Sequence, residues 1–475
     1  MSTAKGDHED SLAVFRTSQG VEVRAALLRL TRYAAVCEVY NPDTVVKTSE
    51  ALEDFKIFVG NQTVYAGRAV VRESVNTGSF LVCSVDLDDF CFDPEFFRAL
   101  SQEGRLRERF DDFVRQWEGV CKVLPEFKVA VADIQTFLID LRRWLEQVEL
   151  GLRSSPKADR ARQERSVIDE LSPHVIPVID ALFEKFENIA AGLGAELCPV
   201  HRSYIQRHLH PIVLCAPFAW RSYQKPLGYA GDYEMVNMML RDPQEGSSLF
   251  AKMFNVWLLR QGSAAAHRNR VNFLKQRLIE VTAAAVRAGH RCRILNLGCG
   301  PAGEVQEFLA ESELSNSAQF TLVDFNDETL RHVAQVLGQR QREYRRATEI
   351  DLKKKSVQQL LKDMVRADGI ARGNAYDLIY CAGLFDYLPD RTCKRLMMLF
   401  YQSLAPGGSV LATNVAPTSP NSGSLELILD WHLIYRDAAQ LAALRPEGVS
   451  LEEVRVLSDD SGINIFLEAS KSNDV

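Results

Sequence analysis

The chain has 475 residues, 46% apolar and 25% charged, with a formal charge of −7. That length exceeds one hydrophobic core and implies two or three domains; the acidic balance argues against a nucleic-acid partner; and no run approaches the ~20 apolar residues of a membrane span. Ten cysteines lie scattered without a C-x-x-C pair, which argues against a metal site or a disulfide framework, and the polar start Met1–Asp10 is no signal peptide, so the expected location is cytoplasmic.

Residues 12–92 alternate with period two and are rich in β-branched side chains. Val21–Leu30 and Ala34–Tyr40 read as strands broken by Asn41-Pro42-Asp43. Phe55–Val59, Gly60-Asn61 and Thr63–Val71 read as a hairpin, and Ser79–Leu87 as a further strand. Short strands with turns between them predict a small antiparallel β-barrel. This region resembles a PilZ-type domain, the bacterial barrel that binds cyclic di-GMP. It departs from that family's ligand signature. Arg29 and Arg32 stand one residue too close for R-x-x-x-R, and Asn76-Thr77-Gly78-Ser79 does not fit [D/N]-x-S-x-x-G. Cyclic di-GMP is therefore not expected to bind, and the barrel is expected to serve docking or homodimerisation.

The period changes from Asp93, and 93–288 reads as a helical region. Phe127, Val131, Ile134, Phe137, Leu138, Leu141, Trp144, Leu145 and Val148 recur at helical steps, giving one apolar face over 127–150. A polar linker over 151–165 and a second, antiparallel helix over 166–193 follow. Residues 218–239 mix aromatics, glycines and methionines without clean periodicity. They suggest a loop and short helix folded over a substrate, with Tyr229 and Asp232 as candidate site residues, or else a plain interdomain connection. Helices over 246–288 complete the region.

Residues 289–475 alternate strand and helix, with strands at 293–297, 320–324, 376–381, 408–414, 452–458 and 463–469. Helices are expected at 303–311, 327–338, 354–366 and 391–404. That is a doubly wound, mainly parallel Rossmann-like sheet, making the whole a multidomain α/β protein. The first strand runs into Gly298-x-Gly300-x-x-Gly303, and the second ends on Asp324. Glycines let backbone approach a ligand, and the carboxylate can accept from both ribose hydroxyls. The pattern alone fits dinucleotide oxidoreductases and S-adenosylmethionine (SAM) methyltransferases equally.

Three further phrases separate them: Tyr376–Cys381 running into Ala-Gly-Leu-Phe-Asp-Tyr-Leu, the Leu404-Ala-Pro-Gly-Gly turn, and two closing strands around Ser458–Gly462. In this order they resemble a class I SAM-dependent methyltransferase. The resemblance implies SAM as cofactor, with Gly298, Gly300 and Gly303 in the turn and Asp324 on the ribose. It further implies Phe325 and Asn326 near the adenine and Ala382 and Gly383 leaving room for the methyl group. Asp351 fits the adenine amino group or, equally, a helix N-cap. Asn296 stands where the family has Asp or Glu, so the methionine end must rest on other groups, Asp386 or the 218–239 segment among them. Cys299 reads as a small residue in a tight loop, and Arg340–Arg346 as a solvated helix face.

For the methyl acceptor, the segment Leu427–Asp437 follows the fifth strand. There His432 or Tyr435 is placed to orient a nucleophile and Arg436 to clamp a carboxylate. With the Lys225–Val236 stretch, it resembles bacterial proteins assigned to biosynthesis of 3-hydroxypalmitic acid methyl ester, a quorum signal. That resemblance implies a 3-hydroxy fatty acid as small-molecule substrate, whose ionised carboxylate needs no general base. A phenol, thiol, amine or protein acceptor would need His432 as base, with control through the barrel. A non-catalytic signalling module is the remaining alternative.

Overall fold

The computed structural model describes residues 11–31, 33–40, 46–59, 62–76, 80–88, 107, 110–111, 114, 123–152, 156–365 and 376–472. Arg32, the Gly60-Asn61 turn, residues 77–79 and the onset of the helical period at Asp93 lie outside them.

Strands β1 (Ser11–Arg16), β2 (Glu22–Leu30), β3 (Ala34–Val39), β4 (Ala51–Val59), β5 (Gln62–Asn76) and β6 (Leu81–Leu87) form a closed antiparallel barrel in the order β1-β2-β3-β6-β5-β4. Period-two alternation sends Ala13, Phe15, Leu27, Phe55 and Ile57 inward, where Phe15 stacks on Phe55 at 5.5 Å. Closure leaves no strand edge unpaired.

In the helical region, α1 (Pro125–Leu152) buries Phe127, Val131, Ile134, Leu138, Leu141 and Leu145 on one face. Trp144, expected in that stripe, is 52% exposed, because it falls off the arc the others define. Helix α2 (Lys157–Ala190) starts well inside the expected linker, just after Pro156 at φ −55°, a value proline supplies for a helix start. The two are antiparallel: Asp133 early in α1 pairs with Lys185 late in α2 at 2.9 Å. Helices α3 (Cys198–Val213), α4 (Pro217–Gln224), α5 (Tyr233–Leu240), α6 (Leu249–Arg260) and α7 (Gly262–Arg287) follow. Leu425, Leu427, Ile428, Leu429 and Trp431 share their core, so the segment after the fifth strand is a packing element as well as a wall.

The C-terminal domain comprises β7 (Cys292–Leu297), α8 (Gly303–Glu311), β8 (Ala318–Asp324), α9 (Asp327–Tyr344), β9 (Glu349–Lys354), α10 (Val357–Val365), β10 (Tyr376–Cys381), α11 (Asp390–Gln402), β11 (Leu404–Val415), α12 (Ala438–Ala442), β12 (Val454–Ser458) and β13 (Asn464–Ser470). The sheet runs β9-β8-β7-β10-β11-β13-β12, parallel except that β13 pairs antiparallel with β11 and β12. Gly408 is required in the first half of β11: a Cβ there would lie 2.6 Å from the Tyr376 carbonyl oxygen. Strand order reverses between β7 and β10, and a crevice opens at their carboxyl ends. Among the described residues, no helix is long and apolar enough to cross a membrane.

Candidate active site

The crevice holds a cavity lined from all three regions of the chain. Beyond β7 the backbone turns through Gly298 (φ +70°) and Gly300 (φ +51°), left-handed values that glycine adopts without strain. Gly303 has a different reason: a Cβ there would meet Leu240 of α5 at 3.0 Å. Asp324 ends β8 inside the cavity. Its Oδ1 accepts from the Asn326 amide at 3.0 Å and its Oδ2 faces the Gly300 amide at 3.4 Å. Burial pushes its pKa up despite these donors and the charge of Lys47.

Asn296, Phe325, Ala382 and Gly383 also line the cavity. Two residues expected at the adenine do not. Asn326 spends its side-chain oxygen capping α9, accepting from the Glu328 and Thr329 amides. Asp351 lies in the middle of β9, opposite Thr321, and pairs with Lys353 at 3.1 Å. It does not line the cavity and is no N-cap, because the third strand runs three residues past it before α10 begins.

The charge missing from Asn296 is supplied one turn away. Glu304, second residue of α8, is buried, accepts from Asn296 Nδ2 at 3.1 Å and from the Tyr380 hydroxyl at 2.7 Å, and has its pKa raised by burial. Across the cavity Arg270 of α7 packs against Gly383, where a Cβ would lie 2.8 Å from Nη1. That nitrogen is buried without a hydrogen-bond partner, as is Asn296 Oδ1. Asp386 lines the same region, accepting from the Val415 amide at 2.7 Å. Arg270 carried a signal in sequence, a cation within the apolar steps Ala266, Val271, Leu274 and Leu278. Glu304 carried its adjacency to Gly303.

Of the acceptor-side candidates, Tyr229 lines the cavity and tilts against Phe325 at 5.1 Å between centroids. The other four do not line it. Asp232 caps α5 through the Glu234 and Met235 amides and pairs with Arg221 at 2.9 Å. Residues 431–436 form no regular element, and successive side chains there face different neighbours. Trp431 and Leu433 face the cavity, and His432 turns to the barrel, its Nε2 3.5 Å from Asp86. Tyr435 packs with Ala266, Val415 and Ile463. Arg436 has no donor left for a substrate. It donates to Asp390 (3.0 and 2.7 Å), Asn414 (2.6 Å) and the Phe385 and Leu388 carbonyls (2.8 and 2.7 Å). His267 lines the cavity instead, with its pKa lowered to about 3 by burial and then by Arg270.

A carboxylate at the tip of β8, a glycine turn at the switch point, and an unpartnered Arg270 donor and Asn296 acceptor beside Glu304 at the far end fit a zwitterionic nucleoside. Residues 295–410 match the family model described as a methyltransferase domain. The C-terminal sheet is thus a Rossmann-like methyltransferase domain, and SAM is its cofactor.

No curated protein matches the chain. Among solved structures, a possible exported protein from Bordetella parapertussis is 17% identical with TM-score 0.40, covering 67% of this chain and 99% of that one. The N-methyltransferase NodS from Bradyrhizobium japonicum WM9, in complex with S-adenosyl-L-homocysteine (SAH), is 12% identical with TM-score 0.30, covering 50% and 97%. Magnesium protoporphyrin IX methyltransferase from Synechocystis PCC 6803, with bound SAH, is 12% identical with TM-score 0.32, covering 57% and 99%.

Proposed function

We propose that the protein methylates the carboxylate of a small apolar acid, a 3-hydroxy fatty acid by its sequence resemblance, giving a methyl ester that serves as a signal. The observation that carries this is the chemistry around Asp386. Leu384, Tyr387, Val415, Trp431 and Leu433 make an apolar wall, and the histidine in the cavity, His267, is too weak a base at pKa about 3 to deprotonate a phenol, thiol or amine. A carboxylate acceptor is already ionised at pH 7 and needs no proton removed by that histidine. The chain then has to exclude water and align oxygen with the methyl carbon, which is positioning chemistry.

SAM supplies an electrophilic methyl group on a sulfonium. Asp324 takes the ribose hydroxyls, while Gly298 and Gly300 give the backbone its close approach. Asn296 Oδ1 and Glu304 take the α-ammonium, and Arg270 takes the α-carboxylate. The domain limits 12–92, 93–288 and 289–475 remain part of this reading, as does the PilZ-type likeness of the barrel.

Incubation with methyl-labelled SAM and 3-hydroxy fatty acids of graded length is expected to give a base-labile labelled ester. Base-stable label on an amine or phenol, with none on the acid, would rule the carboxylate out. Arg270→Met is expected to weaken SAH roughly 10- to 100-fold, the loss of a hydrogen-bonded ion pair. The same variant should leave 5′-methylthioadenosine, which has no amino-acid end, near parent affinity; both are read by calorimetric titration.

A further inference from the structure

The residues joining β3 to β4 belong to the barrel, yet they reach the methyltransferase cavity. The segment Val46–Glu50 is pinned from both sides. On the barrel side the Glu50 carboxylate accepts from Ser18 N and Oγ, both at 2.6 Å, and from Lys47 N at 2.8 Å. On the other side Thr48 N donates to the Tyr387 carbonyl at 3.3 Å and Ala51 N to the Gly228 carbonyl at 2.9 Å. Ser49 Oγ donates to the Asp430 carbonyl at 2.9 Å and accepts from His432 N at 3.1 Å.

This anchoring holds Lys47 inside the cavity at 5% exposure. Its ammonium stands 4.1 Å above the Phe325 ring and 5.6 Å from that of Tyr229. Among the described residues it makes no hydrogen bond or ion pair. Its neighbour Thr48 lines the same cavity, with Oγ1 buried and unpartnered. A buried hydroxyl without a partner is costly to hold, and beside it a largely buried ammonium meets aromatic rings in place of an acceptor; such groups call for a ligand that satisfies them. The ring beneath Lys47 follows directly on Asp324, so the ligand atoms within its reach belong to a nucleoside. Ribose oxygens and purine ring nitrogens are the acceptors an ammonium and a hydroxyl require.

We propose that Lys47 and Thr48 bind the methyl donor, so that the nucleoside half of its site is completed by the N-terminal barrel. This rests on the assignment of SAM as cofactor. The barrel is then a structural half of the donor site as well as a docking unit. Donor binding and the seating of the barrel reinforce each other, because each orders the same segment. A ligand or partner that shifted the barrel would change donor affinity through these two residues.

The test is calorimetric titration of the full-length chain with SAH and with 5′-methylthioadenosine. Lys47→Met is expected to weaken both at least ~10-fold and Thr48→Val both by roughly 3-fold, the range of a charged and a neutral hydrogen bond. Arg270→Met, in contrast, weakens only SAH. Parent-like or tighter binding of 5′-methylthioadenosine by Lys47→Met overturns the proposal while leaving the cofactor assignment intact. A parent chain that binds neither ligand overturns both. Should Lys47→Met fail to fold, judged by its thermal transition, Thr48→Val decides: several-fold loss supports the composite site and unchanged affinity removes it.

Discussion

Replacing Asp324 with Ala is expected to lower SAM affinity on the order of 100-fold or more, with the fold retained. In the proposed site the carboxylate accepts from two ribose hydroxyls, and each hydrogen bond to a charged acceptor is worth about 1.5–3 kcal/mol. Two of them exceed the 1.4 kcal/mol per decade of affinity at least twice over. Asp324→Asn keeps the shape and one acceptor, so it should fall between Ala and the parent. Burial holds the Asp324 pKa above the ordinary value. Its ionised form is therefore lost at a higher pH on acidification than for an exposed aspartate, and donor affinity should begin to fall correspondingly early. The measurement is a titration series in SAH across the acid range. Unchanged affinity in Asp324→Ala would remove the donor site from this crevice.

The largest effect on stability is expected at Asp430. This residue holds φ +52° and is fully buried where barrel, helices and methyltransferase domain meet. It accepts from Arg202 Nε and Nη2 at 2.5 and 2.7 Å and from Gln206 at 2.7 Å, and Arg68 lies 3.6 Å away. Arg202 in turn donates to the barrel carbonyl of Leu87 at 3.2 Å. Asp430→Ala strips the buried Arg202 guanidinium of its two short carboxylate contacts and leaves it Asp88 at 3.5 Å, a cost of about 3–5 kcal/mol. Adding Arg202→Leu should recover part of it, because the stranded charge is gone.

Burial alone would raise the Asp430 pKa, but Arg202, Lys225 and Arg68 outweigh it and hold the group well below the carboxylate range. Stability from a depressed carboxylate is complete above the unfolded pKa and drains away below it. The gap between parent and Asp430→Ala should accordingly narrow by roughly 1.4 kcal/mol per unit below about pH 4. Denaturant unfolding at several pH values reads this directly. A gap independent of pH would mean that Asp430 acts through shape alone. The same variant should weaken SAH binding, since Ser49, which anchors the segment carrying Lys47, rests on the Asp430 carbonyl.

Much of the donor site is written locally. Gly298, Gly300, Gly303 and Asp324 are legible because a glycine turn after one strand and a carboxylate at the tip of the next fix backbone and charge within one βαβ unit. Glu304 and Arg270 were legible only in part: a charge beside a glycine motif or on an apolar helix face marks a buried group without saying what it faces. Four of the five acceptor candidates lie off the cavity for a geometric reason. His432, Arg436 and Asp232 are the residue types that do chemistry, but in an irregular loop or at a helix cap a shift of one position decides which side a residue faces. Trp431 and Leu433 took the cavity, and the charged residues became fastenings.

The sequence by itself determined the three-part architecture, the Rossmann-like sheet and its nucleoside turn, because periodicity and turn chemistry act over a few residues. Only the tertiary structure decided that Lys47 and Thr48 reach the cavity from a chain position about 250 residues before the glycine turn. It also decided that Asp430 locks all three parts together. The physical reason is the same for both. Long-range burial selects partners by the shape of the assembled surfaces, and a lone lysine between two strands, or an aspartate after a fifth, carries no local mark of the charge or ring it will meet.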